Sequence, residues 1–341
     1  MAPSLTIAED LLRGGAVVLE FEVDPVALAD YSLHMRMIDH VVRGLPDTRI
    51  SLHAGELTLG LVDAAVQDAA QSVEFADRSG DAFWRMGTRT THADTLHQAG
   101  RLAEAEARFG EAEQMQAEWQ PQYPLLYSLR GFQYCDLLLA QAERAAWQPA
   151  DSGRKKEELL AACRAVSERA AQTLKWYEQN KQQWLLDIAL DHLTLGRAAL
   201  YAAQLEASAI SNPHPAIEAA VSGLRRSGTQ HMLPLGLLTR AWLRAVTGAL
   251  TGPDSAQDDL DEAWDIASRG SMKLFMADIH LYRARLFGLR NADFGLRIEE
   301  LYPWESPEHD LAEAERLIKE CGYHRRDEEL ADAKRAILGT P

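Results

Sequence analysis

Asp187, Asp191 and His192 are the best candidates in this sequence for a metal-binding or proton-transferring group. Carboxylates four positions apart lie on one face of a helix, where together they can bind a metal ion or transfer protons. The sequence offers no facing helix with a Glu-x-x-His pair to complete a ligand set. We therefore expect these side chains to form buried hydrogen bonds between helices. The alternative is a small-ligand or metal-dependent helical enzyme centred on them.

Two further clusters contain residue types that are used in catalysis. His92 and His97 are five positions apart and point away from one another on a helix, which favours a solvated or groove-lining pair. Asp278, His280 and Arg283 lie inside an apolar helix at spacings that allow local ion pairs. For this second cluster we expect an internal polar network, and ligand binding is the other interpretation.

Known catalytic motifs are absent from the sequence. The string His324-Arg325-Arg326-Asp327 has the letters of a kinase catalytic loop, but no glycine-rich loop, strand lysine or D-F-G accompanies it. No G-x-S-x-G occurs, and no cysteine has the local surroundings of a cysteine protease. The sequence therefore predicts a non-enzymatic protein without a cofactor.

The elements that position these residues are helices, most clearly the two within residues 87–119. Gly100 between them can adopt the left-handed conformation that ends a helix, and helices joined by so short a turn pack antiparallel. In the second helix, apolar residues recur every three or four positions, which defines one buried stripe. The stripe consists of Leu102, Ala105, Phe109, Ala112, Met115 and Trp119.

Helical periodicity and chain breakers extend this pattern along the chain. Helices are expected to begin near residues 6 and 25, residues 16–23 are the one short candidate strand, and a helix from about 55 to 78 ends at Ser79-Gly80-Asp81. Further pairs are predicted at 124–145 with 154–179, 181–207 with 214–226, 233–248 with 256–269, and 271–289 with 308–322.

The division of the chain follows from these elements. We expect an N-terminal helical segment at 1–54, helical repeats at 55–325 and a capping helix at 326–341, because end repeats need a polar outer face. Small residues are needed where the second helix of each pair approaches its neighbour closely. Equivalent alanines are Ala105, Ala170, Ala219, Ala263 and Ala314.

Charge and cysteine usage limit the partners and the compartment. The formal net charge of −16 argues against a nucleic acid duplex or a membrane as the main partner. Two explanations of the charge remain: it keeps the protein soluble, or it forms an acidic docking surface for a basic partner. Cys135, Cys163 and Cys321 are expected to be buried free thiols. No secretion signal is recognisable, and Arg240 and Arg244 interrupt the most apolar later stretch. We therefore expect a soluble cytoplasmic protein.

Residues 87–119 resemble the tetratricopeptide repeat, whose period is 34 residues. The departures are Arg89 in place of the tryptophan and a late proline, Pro121. The matching positions are Ala93, Leu96, Ala105, Phe109 and Ala112, followed in later repeats by Tyr127, Gly131, Tyr134 and Leu195-Gly196. The resemblance implies an all-α, right-handed superhelical solenoid of antiparallel helix pairs with a C-terminal capping helix.

Three strings, at 123–136, 186–197 and 321–330, are similar to the C-terminal sensor repeats of bacterial STAND/NACHT-type signal-transduction ATPases. In that family the repeats sense a signal or partner and an upstream P-loop module responds. No G-x-x-x-x-G-K-[ST] occurs in this chain, so ATPase activity is not implied. The resemblance implies either the sensor part of a signalling or defence system, with a P-loop ATPase module or partner, or a stand-alone relative of such sensors.

In helical solenoids the first helix of each pair lines the inner groove, so residues beside the packing positions face a ligand. Arginine and aromatic side chains there suit a protein or peptide partner, because they bury large area and offer planar hydrogen bonding. Packing between repeats is an equally good explanation for Phe132 and Trp242. The candidate groove residues are Thr90, Asp94, His97, Ser128, Arg130, Phe132, Asp136, Arg197, Tyr201, Arg240 and Trp242.

Overall fold

The computed structural model describes residues 53–148, 154–180, 184–207, 213–288 and 302–339. Within these ranges every regular element is a helix, and none of these residues belongs to a strand. The predicted all-α class is therefore confirmed for the described part of the chain. The helices expected near residues 6 and 25, the candidate strand at 16–23 and nearly all of the predicted segment 1–54 lie outside it.

The described residues form thirteen α-helices, which we number in chain order. They are α1 (His53–Leu59), α2 (Val62–Ser79), α3 (Ala82–Gln98), α4 (Leu102–Trp119), α5 (Ser128–Ala146), α6 (Arg154–Asn180), α7 (Leu185–Glu206), α8 (Pro213–Ser227), α9 (Leu233–Val246), α10 (Ala256–Arg269), α11 (Lys273–Arg283), α12 (Pro307–Cys321) and α13 (Asp327–Leu338). A π-helical turn, Ala284–Gly288, continues α11, and a 3₁₀ turn, His324–Arg326, precedes α13. The four later predicted pairs are present, with boundaries within a few residues of those expected.

The single helix expected at about 55–78 is instead two helices, and this part of the prediction is wrong. Gly60 adopts φ +80 between α1 and α2, where a side chain is strained. A Cβ at this glycine would lie 2.6 Å from Sγ of Cys321 and 2.9 Å from Cβ of Lys273. The break therefore lets the start of the described chain pack closely against the last helix pair.

The turns around the α3–α4 hairpin follow the sequence expectations. Gly80 ends α2 in the left-handed region at φ +70, and Asp81 caps α3 by accepting a 3.0 Å hydrogen bond from the backbone N–H of Trp84. Gly100 has φ +74 after the end of α3, as predicted. Within the α4 stripe, Ala105, Phe109 and Ala112 are completely buried, whereas its two ends, Leu102 and Trp119, are exposed.

Close approach between paired helices uses small residues, with one difference from the predicted register. Four of the five predicted alanines are buried as expected: Ala105, Ala170, Ala263 and Ala314. In α8 the predicted Ala219 is only half-buried, and its neighbour Ala220 is fully buried instead. Two glycines in the same pair show the reason for small side chains there. A Cβ at Gly196 would lie 2.4 Å from the side chain of Ile217, and one at Gly223 would lie 2.7 Å from Cβ of Ala189.

Successive helix pairs contact one another in chain order, and the last pair also contacts the first described helix. Among the described residues the first helices of the pairs contact one another in the order α1, α3, α5, α7, α9, α11, and α11 also contacts α1. The largest hydrophobic cluster runs from α5 to α11 and the turns that follow it. The first helices therefore surround a shared interior, on which their polar side chains converge.

The C-terminal helix α13 packs against α12 and the π-helical turn, and the His324–Arg326 turn before it contacts α3. Arg144 near the end of α5 also reaches α13, because its Nε donates to Asp332 at 2.7 Å and Nη1 donates to Glu328. The segment from His324 to Leu338 thus has partners on α3 and α5, far from it in sequence, as well as on its neighbour α12.

Cys135, Cys163 and Cys321 are free and buried, as predicted. None of the helices in the described ranges is both long enough and apolar enough to cross a membrane.

Candidate functional site on the inner helices

Glu143 of α5 is the centre of a buried network of charged side chains. It is 1 % exposed and accepts hydrogen bonds from Arg197 of α7 at 3.2 Å and from Arg325 and Arg326 at 3.3 and 3.2 Å. Burial opposes ionisation of the carboxyl, but the three arginines outweigh it and lower the pKa of Glu143 to about 2. The carboxylate is therefore charged at neutral pH.

Asp136 lies about two helical turns before Glu143 on α5. It shares two of the arginine partners of Glu143. Arg197 donates to it from Nη1 at 2.6 Å, and Arg325 donates from Nη1 at 2.5 Å. Burial raises the pKa of Asp136, yet the two guanidinium groups hold it well below its usual range. Arg197 also donates from Nε to the hydroxyl of buried Tyr201 at 2.9 Å, which fixes its side chain between α5 and α7.

Two adjacent arginines bring the C-terminal segment into this network. Arg325 bonds the carboxylates of α5, and its neighbour Arg326 donates from Nε to Asp278 of α11 at 2.8 Å and from Nη1 to Glu329 at 2.6 Å. Asp278 also accepts from the hydroxyl of Tyr323 at 3.2 Å. A single turn of chain therefore bridges α5 and α11 through its side chains.

Charge within the network is balanced only when the C-terminal arginines are included. Four carboxylates face four guanidinium groups, so removing the two arginines of the turn leaves the helices with an excess of negative charge. Buried charges are stable when they are paired, and Arg325 and Arg326 of the turn supply part of that pairing. The groups are Asp136, Glu143, Asp278 and Glu329, with Arg197, Arg285, Arg325 and Arg326.

On α3, the structure places the expected groove residues at the edge of this network. Thr90 is buried and donates to the carbonyl oxygen of Gly87 at 2.7 Å within its own helix. Asp94 accepts hydrogen bonds from the side-chain amides of Gln98 and Gln133, and burial raises its pKa to about 6. His97 is completely buried with Nδ1 3.7 Å from Asp136, and burial lowers its pKa to about 3.

Arg130 lies apart from the network, beside exposed aromatic rings. Its guanidinium stacks on the ring of Phe83 at 4.6 Å, and no carboxylate among the described residues pairs with it. Phe83 also makes edge contacts with Trp84 and Trp119, all of them exposed. Burial lowers the pKa of Arg130, as expected for a cation without a counter-charge.

The remaining groove candidates divide between core and inter-helix pairs. Phe132 and Trp242 are buried in the main hydrophobic cluster, where Trp242 stacks on Trp147 with ring centroids 3.7 Å apart. Arg240 is buried and pairs with Asp259 of α10 at 2.7 Å and with Glu218 of α8. These three side chains hold neighbouring helices together.

Asp187 and Asp191 lie together, but His192 does not join them. Ser128 donates to Asp187 at 2.5 Å, whereas Oδ2 of Asp191 is buried without a hydrogen-bond partner among the described residues. Burial raises the pKa of both carboxyls, that of Asp191 to about 7. His192 is half-buried, and burial lowers its pKa, which the charge of Glu178 partly offsets. No group of three potential metal ligands exists in the described ranges.

The main residues that sequence reasoning missed are Glu143, Arg325, Arg326 and Glu329. Arg325 and Arg326 occur in a string that resembles a kinase loop only by accident, and helical spacing does not indicate a contact with α5. Asp278 was expected in a local network, but its partners come from the C-terminal segment. The one available signal was two adjacent arginines before a terminal helix in an otherwise acidic chain.

The fold and this site define an all-α protein of paired helices with a charged interior. A scan of protein-family models finds no match to the chain, and a search of curated proteins finds no significant match.

Proposed function

We propose that this chain is a tetratricopeptide-like helical scaffold that binds a protein or peptide segment on its inner helices and catalyses no reaction. The observation that carries the proposal is the network around Glu143, where a segment of chain is held through Arg325 and Arg326. The proposal includes a right-handed superhelical arrangement of the pairs and a cytoplasmic location.

The chemistry of the inner helices specifies the kind of segment. Asp136, Glu143 and Asp278 are buried carboxylates whose arginine partners come in part from a single turn. Arginine suits such sites because its planar guanidinium donates several hydrogen bonds in fixed directions. The expected partner is therefore a protein segment with two adjacent arginines, and the C-terminal turn is the form of that ligand contained in the chain itself.

The place of this scaffold in a signalling or defence system is also a proposal. It rests on the similarity of the strings at 123–136, 186–197 and 321–330 to sensor repeats of STAND/NACHT-type ATPases. In such a system a P-loop ATPase module or partner responds when the inner helices exchange the C-terminal segment for a partner segment. Neither nucleic acid nor a membrane is expected as a direct partner of so acidic a chain.

A peptide titration tests the binding proposal. In the full chain, Glu328→Arg combined with Asp332→Arg places two cations against Arg144, which repels the C-terminal helix and leaves the inner carboxylates available. A fluorescent peptide with the sequence of residues 322–339 should bind this double variant at least tenfold more tightly than the native chain. Equal affinities for the two proteins would overturn the proposal. Circular dichroism establishes that the variant keeps its helical content.

A further inference from the structure

Phe83, Trp84, Trp119 and Arg130 form a surface, which we call the aromatic patch, where α3 begins, α4 ends and α5 begins. The three aromatic side chains are 37, 56 and 42 % exposed. The ring centre of Phe83 lies 5.4 Å from that of Trp84 and 5.9 Å from that of Trp119, so the rings form one continuous apolar surface. Large aromatic side chains grouped in this way are typical of interaction sites.

The cation of the aromatic patch has no counter-charge. The guanidinium of Arg130 stacks on Phe83 at 4.6 Å, and within the described ranges it forms neither a hydrogen bond nor an ion pair. Two neighbouring arginines of α3 differ, because Arg85 and Arg89 both pair with Asp77, at 3.1 and 2.8 Å. Arg130 is therefore available to bind a carboxylate of another molecule.

Local packing holds the Arg130 side chain in place. Gly87 of α3 faces it, and a Cβ at this glycine would lie 3.2 Å from Nη2 of Arg130. The missing side chain at Gly87 thus makes room for the guanidinium, whereas the ring of Phe83 covers one of its faces. A side chain that is already restrained loses less conformational entropy when a partner binds.

The composition of the aromatic patch specifies the chemistry of its partner. The rings can bury apolar side chains, and one guanidinium can pair with one carboxylate. Further acidic groups would stay unpaired beside a chain of net charge −16, and the same charge repels nucleic acid phosphates. A second copy in a twofold contact would place Arg130 against a patch without a carboxylate. An apolar protein segment with a single acidic residue fits best.

We propose that the aromatic patch binds a protein segment in which apolar side chains flank a single Asp or Glu. The carboxylate pairs with Arg130, and the apolar side chains pack on the three rings. The Glu143 network differs from the patch in its residues and in its preference, since it holds arginines. The chain would therefore carry two binding surfaces with opposite charge requirements.

A phage-displayed library of random short peptides is the probe for this surface. The library is selected on the native full chain, after removal of phage that bind the double variant Trp119→Ala, Arg130→Gln. The enriched peptides should share apolar side chains within a few positions of one Asp or Glu. If no peptide is enriched, or if the enriched peptides lack an acidic residue, the proposal is wrong.

Matched variants locate the contact. The most enriched peptide, synthesised with a fluorescent label, should bind Arg130→Gln and Trp119→Ala at least about fivefold more weakly than the native chain. As controls, Arg101→Gln removes an exposed arginine that pairs with Glu104, and Leu102→Ala truncates an exposed side chain at the other end of α4. Both controls should change the affinity less than about twofold. Equal losses in patch and control variants would overturn the assignment.

The pairing of the carboxylate with Arg130 is measured by a double-mutant cycle. Replacing the acidic residue of the peptide with its amide should weaken binding to the native chain at least about fivefold, and binding to Arg130→Gln less than about twofold. The same loss in both proteins would show that the carboxylate does not pair with Arg130. Because Arg130 has no ionic partner within the described ranges, Arg130→Gln should keep the native thermal midpoint, which separates binding from a structural role.

Two further measurements address other occupants of the aromatic patch. Self-association of the native chain in sedimentation experiments that Trp119→Ala abolishes would make a second copy the occupant. Binding of a labelled oligothymidylate that Arg130→Gln abolishes would make it a single-stranded nucleic acid. Either result would overturn the proposal. Arg325 and Arg326 are unchanged in all these variants, so this proposal and the proposed function fail independently.

Discussion

At the scale of single residues, buried carboxylates in this protein differ in the partners that surround them. Glu143 faces three arginines and its pKa is lowered to about 2, whereas Asp191 has no cation beside it and burial raises its pKa to about 7. One is therefore charged at neutral pH, and the other is near its titration midpoint. This difference gives each of them a distinct dependence of stability on pH.

Glu143→Gln should destabilise the protein by about 3–5 kcal/mol at pH 7, because it leaves buried guanidinium groups without a counter-charge. The free energy of unfolding in urea measures this. Glu262→Gln, which breaks an exposed ion pair with Arg225, is the matched control and should cost less than about 1 kcal/mol. A cost for Glu143→Gln no larger than that of the control would contradict the central role of the carboxylate.

The advantage of native Glu143 over glutamine should also depend on pH. A pKa lowered from 4.5 to about 2 stabilises the folded state above 4.5, and this stabilisation is lost as pH falls towards 2. Measured at a series of pH values, the difference between the two proteins should therefore shrink over that interval. A difference that stays constant would mean that the charge of Glu143 is not the cause.

Asp191→Asn should show the opposite trend. The folded carboxyl, with a pKa raised from 3.8 to about 7, holds a proton more tightly than the unfolded one, so native stability falls as pH rises through this interval. Relative to the native chain, the variant should gain up to about 4 kcal/mol between pH 4 and pH 8. Unfolding curves of both proteins at the two pH values test this, and a pH-independent difference would refute it.

At the scale of elements, two glycines inside helices have opposite surroundings. Gly110 of α4 has open space around it, so Gly110→Ala should stabilise the protein by about 0.5–1 kcal/mol through higher helix propensity. A Cβ at Gly131 of α5 would lie 2.5 Å from the carbonyl oxygen of Leu126, so Gly131→Ala should cost about 1–3 kcal/mol. Thermal unfolding of the two variants checks both, and equal effects would contradict this description of the α5 start.

The helices themselves could largely be predicted, because local patterns determine them. Gly80, Asp81 and Gly100 indicated the ends of α2 and α3, and apolar spacing indicated the stripe of α4. The break at Gly60 was not predictable in the same way, since its reason is contact with Cys321 and Lys273 at the other end of the described chain. Likewise, the one-residue shift to Ala220 depends on how α7 and α8 pack.

The candidate site was less predictable than the helices for the same physical reason. Asp136, Arg197 and Tyr201 could be selected as inward-facing from helical position, and they do lie together in the interior. Their partners Arg325 and Arg326 come from a turn that follows α12, and no helical period relates that turn to α5. The buried face of a helix produces a periodic pattern of apolar residues in the sequence, whereas a long-range ion pair produces no such pattern.

In the molecule as a whole, the C-terminal segment contacts both early and late helices of the described chain. The first helices return from α11 to α1, and the His324–Arg326 turn and α13 contact α3, α5 and α12. Close packing of Gly100 against His324, where a Cβ would lie 3.0 Å from the histidine Cβ, adds to this contact. The segment therefore contributes to the stability of the interior and, under the proposed function, occupies the place of a partner.

Under the proposed function, the inner helices recognise a segment through its two adjacent arginines. The most direct measurement is the affinity of the double variant Glu328→Arg, Asp332→Arg for two peptides, the native sequence of residues 322–339 and the same peptide with glutamine at the positions of Arg325 and Arg326. The glutamine peptide should bind at least tenfold more weakly, because Asp136 and Glu143 then keep only Arg197 as a cationic partner and Asp278 loses Arg326. Equal affinity for the two peptides would contradict it.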